Sequence, residues 1–453
     1  MLGVSPLLAR LLAVTLFALV IAEPFVQRVF IDMWSDLGFD SHHLEFDFVL
    51  FYRAAEDLQA GRSPYPEEIV NSSLEEPAAR AWNRYLYPPA FARLFIPFTA
   101  FSPWIAYRLF VALNFILYLV VLVPWRARGA SASAERWVSL ALLFLWGPAI
   151  ETLRKGQTNL IPLLLLMLAL VNLERVESGV CPRKRAREFG AGFFFGIGAM
   201  VKLVPLVVAP LLAVAGRVWL LLGIAVGSIG LLAVCDPGQS WVYFTRVFPT
   251  LGDFPDLRRS HSLNALVLRG LDRLLAGGWV SGEILNFDVL IAGGVSAAFF
   301  IAVGAIVFLR RKQLSASTLL LLGCYLQAIL VGRWSHHYTA VLIPSLFTAR
   351  ALASQWVRTP FPDREIAAGE QSPISRNRLL VLSLAELFAL LPNFYYLPPV
   401  NALLHALEGS KEIVPPDQLV LANLLGMGVF LYLVLQNGSL ATTQNERTHP
   451  SVV

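Results

Sequence analysis

Apolar segments of about 20 residues recur along this chain, and they constrain its fold more than any other feature. A segment of that length is what an α-helix needs to cross the hydrocarbon layer of a membrane. The 453-residue chain is 56% hydrophobic and only 15% charged, whereas a soluble protein carries about 25% charged residues. We therefore predict an all-α polytopic membrane protein.

The hydropathy pattern predicts about twelve membrane-spanning helices in a single domain, residues 1–436. The first, residues 7–22, is interpreted as a retained span, although it also resembles a signal peptide. Residues 87–101 are apolar but broken by prolines, and we interpret them as a juxtamembrane or re-entrant helix. The polar residues 437–453 are predicted to form a disordered cytoplasmic tail. The other predicted spans are 104–125, 137–150, 160–173, 190–201, 203–215, 218–235, 287–309, 318–331, 338–349, 379–391 and 419–435.

Arginine and lysine are concentrated in four predicted loops, which all lie on one side of the membrane in this count. The positive-inside rule identifies that side as cytoplasmic. The first outer loop, residues 23–103, then lies on the opposite side. The net charge of +5 comes from the basic loops and does not indicate a nucleic-acid partner. These loops are residues 126–136, 175–187, 310–312 and 350–378.

Several polar residues interrupt the apolar pattern, and all are predicted on the side opposite the basic loops. Asp47 begins an amphipathic segment, where it would either cap a helix or act as a general base at the membrane surface. Lys202 separates two short apolar segments, where it would either snorkel to the interface or bind an anion such as a lipid phosphate. Acidic and basic groups on one face are typical of a membrane-embedded active site.

Amide and basic side chains add to the same face. Gln157 and Asn159 lie in a short turn between two spans, which is either a simple polar turn or a site that hydrogen-bonds sugar hydroxyls. Arg259 and Arg269 belong to the second large outer loop and its apolar helix. They would either contact a phosphate or remain solvated.

Two adjacent histidines, His336 and His337, lie at the outer end of a predicted span. Consecutive residues of a helix point about 100° apart and so rarely share one ion. We interpret one histidine as stabilising a phosphate leaving group and the other as packing. Glu386, inside a predicted span, is costly unless its carboxylate is satisfied. The three cysteines are far apart, so we predict no metal site, and we predict no cofactor.

The order of these elements resembles glycosyltransferase family 87, which includes mycobacterial mannosyltransferases that use polyprenol-phosphate-mannose. The resemblance covers roughly residues 7–349. The matching elements are Phe46-Asp47-Phe48 with Tyr52, Tyr87-Pro88-Pro89, Gly156-Gln157-Thr158-Asn159, Gly192 and Gly196 with Lys202-Leu203-Val204-Pro205, and Trp334-Ser335-His336-His337-Tyr338.

The resemblance implies the C-type glycosyltransferase fold, with juxtamembrane helices in the first outer loop. It implies inverting transfer of a hexose, with mannose favoured, from a polyprenyl-phosphate sugar to a lipid or glycan acceptor on the outer face of a bacterial inner membrane. Asp47 would be the catalytic base. The donor phosphate would be bound by Lys202, His336, His337, Arg259 and Arg269. The sugar or the acceptor would be bound by Tyr52, Tyr87, Gln157, Asn159 and Trp334.

The alternative function is transport or flipping of a lipid-linked sugar. Such proteins carry charged or broken helices near the middle of the membrane and often contain inverted repeats. The polar residues of this chain are instead predicted at one surface, and no internal repeat is visible. The pattern therefore favours the transferase.

Overall fold

A computed structural model describes a little more than half of the chain, and its secondary structure there is helical, without strands. The all-α prediction is confirmed for these residues. The described residues are 47–65, 85–122, 152, 156–177, 183–202, 204–233, 237–248, 262–277, 287–331, 341, 343–345, 347–348, 351–352, 375–394 and 416–437. The α-helices are α1 (Asp47–Gln59), α2 (Pro89–Arg93), α3 (Pro103–Leu122), α4 (Leu160–Glu177), α5 (Lys184–Val201), α6 (Val208–Val214), α7 (Val218–Ala233), α8 (Pro237–Val242), α9 (Leu263–Ala276), α10 (Asp288–Arg310), α11 (Ala316–Val331), α12 (Arg376–Phe394) and α13 (Pro416–Asn437).

Among the described helices, α10 alone is long and apolar enough to cross a membrane as one straight element. The number rises to three if two bent pairs, Pro89–Ala100 with Pro103–Asn114 and Val218–Ala233 with Pro237–Val247, each form one span. The predicted spans at residues 7–22 and 137–150 lie outside the described residues. The count of about twelve spans therefore stays a prediction.

The segment before α3 does not continue its axis. A 3-10 turn at Ile96–Ala100 follows α2, and Pro89–Ala100 makes an angle of 118° with Pro103–Asn114. Proline at the first position of α3 is compatible with a helix start, where its missing N–H costs no hydrogen bond. A bend of this size fits either a broken span or a re-entrant segment, so the juxtamembrane or re-entrant interpretation of residues 87–101 stays a prediction.

Helices α5 and α7 approach each other closely through four glycines. A Cβ atom at Gly192 or Gly196 would lie 2.1 or 2.3 Å from a carbonyl oxygen of α7. A Cβ atom at Gly223 or Gly227 would lie 2.1 or 2.3 Å from a carbonyl oxygen of α5. This is the small-xxx-small packing that lets membrane helices bring their backbones together. It fixes the position of α5 and of Lys202, which follows it.

Helix α4 connects two different ends of the bundle. It begins after the turn that contains Gln157 and extends over 18 residues, about 27 Å. At its far end the Glu177 carboxylate accepts hydrogen bonds from the Ser317 backbone N–H (3.0 Å) and hydroxyl (2.6 Å) at the start of α11. Helix α5 returns along α4 and brings Lys202 back to the Gln157 end. The basic residues around Lys184 thus lie at the end opposite Lys202.

The outer surface of the bundle is apolar. Four apolar residues of α10 are each at least 60% exposed: Val289, Leu290, Ile301 and Leu309. Exposed apolar surface of this extent is typical of a surface that lipid or a partner covers. By contrast, Glu386 on α12 is buried, and neither carboxylate oxygen has a hydrogen-bond partner among the described residues.

Candidate functional site

Asp47 is the first residue of α1 and is half-buried at the edge of an aromatic cluster. The next residue, Phe48, is completely buried. Its ring lies 5.5 Å from the Phe110 ring and 5.6 Å from the Tyr107 ring, both on α3. Aromatic pairs at such distances add to the free energy gained by burial. The cluster therefore holds the start of α1 against α3. Its aromatic members are Phe48, Phe51, Tyr52, Tyr65, Tyr85, Phe91, Phe95, Tyr107, Phe110 and Tyr243.

Tyr52 was predicted to contact the sugar or the acceptor, and the structure gives it a contact within the protein. Its side chain is only 5% exposed, and its hydroxyl donates a hydrogen bond to the Phe101 carbonyl at 2.8 Å. Phe101 lies at the bend before α3. Tyr52 thus ties α1 to the bend, and its role toward a substrate stays a prediction.

The turn that precedes α4 packs directly against Phe48. Gly156 has a φ of 60°, in the left-handed region that favours glycine. A Cβ atom there would lie 2.9 Å from the Phe48 Cβ and 3.0 Å from the Tyr107 Cε2. The Gln157 backbone N–H donates to the Thr152 carbonyl at 2.9 Å. Backbone conformation and lack of space both require glycine at residue 156.

Gly156→Ala is expected to lower kcat by about 10- to 100-fold, because a displacement of about 1 Å near a reacting group costs on the order of 100-fold. The added methyl group would push the turn away from Phe48 and so move Gln157 relative to Asp47. The measurement is the steady-state rate of the purified variant, together with its thermal unfolding.

Gly216→Ala is the matched control for this prediction. Gly216 has a φ of 69°, yet a Cβ atom there would meet no atom within 4 Å. It shares the backbone strain without the clash and lies between α6 and α7. Equal losses in the two variants would contradict the argument from displacement.

The Gln157 side chain connects an acidic residue, Asp47, to a basic residue, Lys202. Its Nε2 donates a hydrogen bond to the Asp47 Oδ2. Its Oε1 accepts one hydrogen bond from the Lys202 Nζ and one from the Tyr87 hydroxyl, each at 3.3 Å. A carboxylate only accepts and an ammonium only donates, so the orientation of the amide is determined. Four predicted site residues, from four segments of the chain, therefore meet at one place.

Burial determines the electrostatics of this site. Lys202 lies beyond the end of α5 and is 7% exposed. Its desolvation lowers the pKa of the ammonium to about 7, and the nearby Asp47 carboxylate acts in the opposite direction. Burial and Asp47 both raise the pKa of the Tyr87 phenol, so this hydroxyl stays neutral and donates. The Lys202 Nζ also lies 5.7 Å from the centre of the Tyr87 ring.

Lys202 forms no ion pair with a carboxylate among the described residues, because Gln157 separates it from Asp47. A buried cation of this kind attracts an anion strongly in a medium of low dielectric constant. The arrangement thus presents a carboxylate and an unpaired cation at the two ends of one amide. It can take up a proton at one end and bind a negative group at the other.

Of the remaining predicted site residues, the structure describes Asn159 and Arg269. Asn159 is buried, and its Nδ2 donates to the Thr152 Oγ1 at 3.0 Å. Arg269 lies on α9, which packs against α10. The other predicted site residues lie outside the described residues; they are Arg259, Trp334, His336 and His337.

Sequence reasoning missed Asn114 of α3. This residue is completely buried, and its Nδ2 donates to the Gln157 carbonyl at 3.1 Å. The available signal was an amide side chain within the apolar segment 104–125. For the part of the chain that the structure describes, no group of three or more histidine, cysteine, aspartate or glutamate residues has the geometry of a metal site.

Comparison with known proteins gives one family match. A family model described as glycosyltransferase family 87 matches residues 85–332. No curated protein and no solved structure matches the chain. The matched stretch contains Tyr87, Gln157 and Lys202, whereas Asp47 precedes it and His336 follows it.

Proposed function

The chain belongs to glycosyltransferase family 87, a family of membrane glycosyltransferases, and from this premise we propose which sugar transfer it catalyses. The chain moves a hexose, with mannose as the first candidate, from a polyprenyl-phosphate-linked sugar to a lipid or glycan acceptor. The observation that carries this proposal is the Gln157 amide, which joins a carboxylate to a buried cation.

Asp47 acts as the general base in this proposal. Its carboxylate takes the proton from an acceptor hydroxyl while that oxygen attacks the anomeric carbon of the donor sugar. The bond between the anomeric carbon and the phosphate oxygen breaks in the same displacement. The electron pair leaves with the polyprenyl phosphate, so a β-linked donor gives an α-linked product.

Lys202 stabilises the negative charge that develops on the departing phosphate. A fixed cation in a site shielded from water is worth more than the same cation in water, because it needs no reorganisation during the reaction. His336, His337, Arg259 and Arg269 are the further candidates for binding this phosphate.

The spacing of the two groups supports a single displacement. With ordinary hydrogen bonds on both sides of the Gln157 amide, the Asp47 Oδ2 and the Lys202 Nζ lie within about 9 Å of each other. Inverting glycosidases act on opposite faces of an anomeric carbon with carboxyl groups about 6.5–9.5 Å apart. The upper limit on the distance between the base and the phosphate-binding cation of this protein is compatible with such a separation.

Aromatic and amide side chains near the amide would bind the sugar or the acceptor. Tyr87 is the best placed, because its ring is adjacent to Lys202 and its hydroxyl to Gln157. Tyr52, Asn159 and Trp334 remain candidates from the sequence. We further propose the C-type glycosyltransferase fold with about twelve spans. The site then faces the outer side of a bacterial inner membrane.

The test uses the purified protein in lipid nanodiscs with polyprenyl-phosphate-mannose as donor and extracted membrane glycolipids as acceptors. The expected product is a glycolipid one hexose heavier, with an α-linkage from a β-linked donor. Empty nanodiscs are the control. Product from another lipid-linked sugar would replace mannose and keep the reaction. If no lipid-linked sugar of a panel gave product while a fluorescent one crossed the bilayer, flipping would replace transfer.

A further inference from the structure

Asn114 occupies a position where a polar side chain is costly. It lies in the fourth turn of α3, a helix that exposes Leu109, Leu113 and Ile116 on another face. The Asn114 side chain itself is completely buried. An amide in such an apolar helix is destabilising unless it forms a hydrogen bond inside the protein. The hydrogen bond that Asn114 forms therefore indicates the role of this side chain.

That bond is directed at the backbone of Gln157. The Asn114 Nδ2 donates to the Gln157 carbonyl at 3.1 Å, and the Asn114 Oδ1 has no partner among the described residues. The first backbone hydrogen bonds at the start of α4 go to the carbonyls of Thr158 and Asn159. The Gln157 carbonyl thus precedes the helical ladder and is bonded by Asn114 instead.

One face of α3 supports the whole turn. Tyr107, two helical turns before Asn114, lies against Gly156, and Phe110 between them packs on Phe48. Residues separated by three, four and seven positions share one face of a helix. This face therefore contacts both the residue that follows Asp47 and the residue that bridges Asp47 to Lys202.

We propose that Asn114 is a positioning residue that orients Gln157 and, through it, Asp47 for the transfer reaction. The Gln157 backbone is held on one side by Thr152 and on the other by Asn114. With both sides fixed, the side-chain amide is directed between Asp47 and Lys202. This inference rests on the proposed function, because it assigns Asn114 to the same site.

The experiment compares Asn114→Leu and Asn114→Asp with the wild type in the nanodisc assay. Leucine has a similar volume and suits an apolar helix, but it cannot donate a hydrogen bond. We expect Asn114→Leu to lower kcat by about 10- to 100-fold, with the KM for the donor changed less than about threefold. Leu113→Ala, on the exposed face of the same helix, is the control and should keep the wild-type kcat.

Asn114→Asp separates positioning from packing through its pH profile. Only a protonated carboxyl group can donate to the Gln157 carbonyl, so this variant should regain activity relative to the wild type as the pH falls. A structural role would give a parallel pH profile. Wild-type kcat in Asn114→Leu, or a parallel profile in Asn114→Asp, would overturn the inference. Absence of product from the wild type would overturn the proposed function and this inference with it.

Discussion

Asp47→Asn is expected to lower kcat by about 100- to 10,000-fold, the usual contribution of a general base, and to leave donor binding nearly unchanged. Asparagine keeps the shape of aspartate, and its Oδ1 can still accept the hydrogen bond from Gln157. Phe48 would therefore stay in the aromatic cluster, and α1 would keep its position. The loss would come from basicity alone, since an amide cannot take the proton of the acceptor hydroxyl.

The measurement is single-turnover transfer under saturating donor, with donor binding followed separately. Asp57→Asn is the matched control, because Asp57 lies on the same helix in an exposed ion pair with Arg62 at 2.7 Å. Exposed ion pairs contribute little to stability, so the control should retain full activity. A similar kcat for Asp47→Asn and the wild type would remove Asp47 from the role of base.

Lys202→Met is expected to reduce kcat/KM for the donor by about 100- to 1000-fold, the range measured when one stabilising group of a developing anion is removed. Methionine fills a similar volume and removes the charge. Lys202→Arg should recover part of the activity, since the guanidinium keeps the charge but has a different shape. Lys312→Met, beyond the end of α10, is the control and should leave kcat/KM unchanged.

The pKa of Lys202 also leads to a prediction about how kcat/KM depends on pH. Its pKa of about 7 means that Lys202 is charged below pH 7 and increasingly neutral above it. The kcat/KM for the donor reports groups of the free enzyme, so it should decline as the pH rises through about 7. In Lys202→Arg this decline should disappear, because arginine stays protonated. A decline that persists in Lys202→Arg would assign the titration to another group.

The sequence predicted the helices better than it predicted their ends. The predicted span 218–235 corresponds to α7, Val218–Ala233, and 287–309 corresponds to α10, Asp288–Arg310. By contrast, α5 begins at Lys184, six residues before the predicted start at Gly190. Hydropathy reports which part of a helix is apolar, whereas charged residues can continue the same helix without any apolar signal.

The sequence also predicted which residues would share one end of the bundle, but not how they connect. Asp47, Gln157 and Lys202 were expected on one face, and in the structure the Gln157 side chain contacts both Asp47 and Lys202. Gln157 was predicted to bind sugar hydroxyls, and in the structure it joins two protein groups 110 and 45 residues away. Contacts over such separations depend on helix packing, which periodicity does not encode. Asn114 is uncharged and stands alone in an apolar segment, so the sequence does not show that its amide reaches the Gln157 carbonyl.

The glycine contact between α5 and α7 makes the two faces of α7 differ in how much sequence change they tolerate. A Cβ atom at Gly223 or Gly227 would lie too close to a carbonyl oxygen of α5 for any side chain to fit. On the other face, Val226 and Ile229 are 47% and 63% exposed, and any apolar side chain would serve there. Replacing glycine by alanine and replacing valine by leucine each add one carbon atom to the side chain. Natural substitutions in α7 should therefore be concentrated on its exposed face. Substitutions of Gly223 or Gly227 would push α5 away and so displace Lys202 at its end.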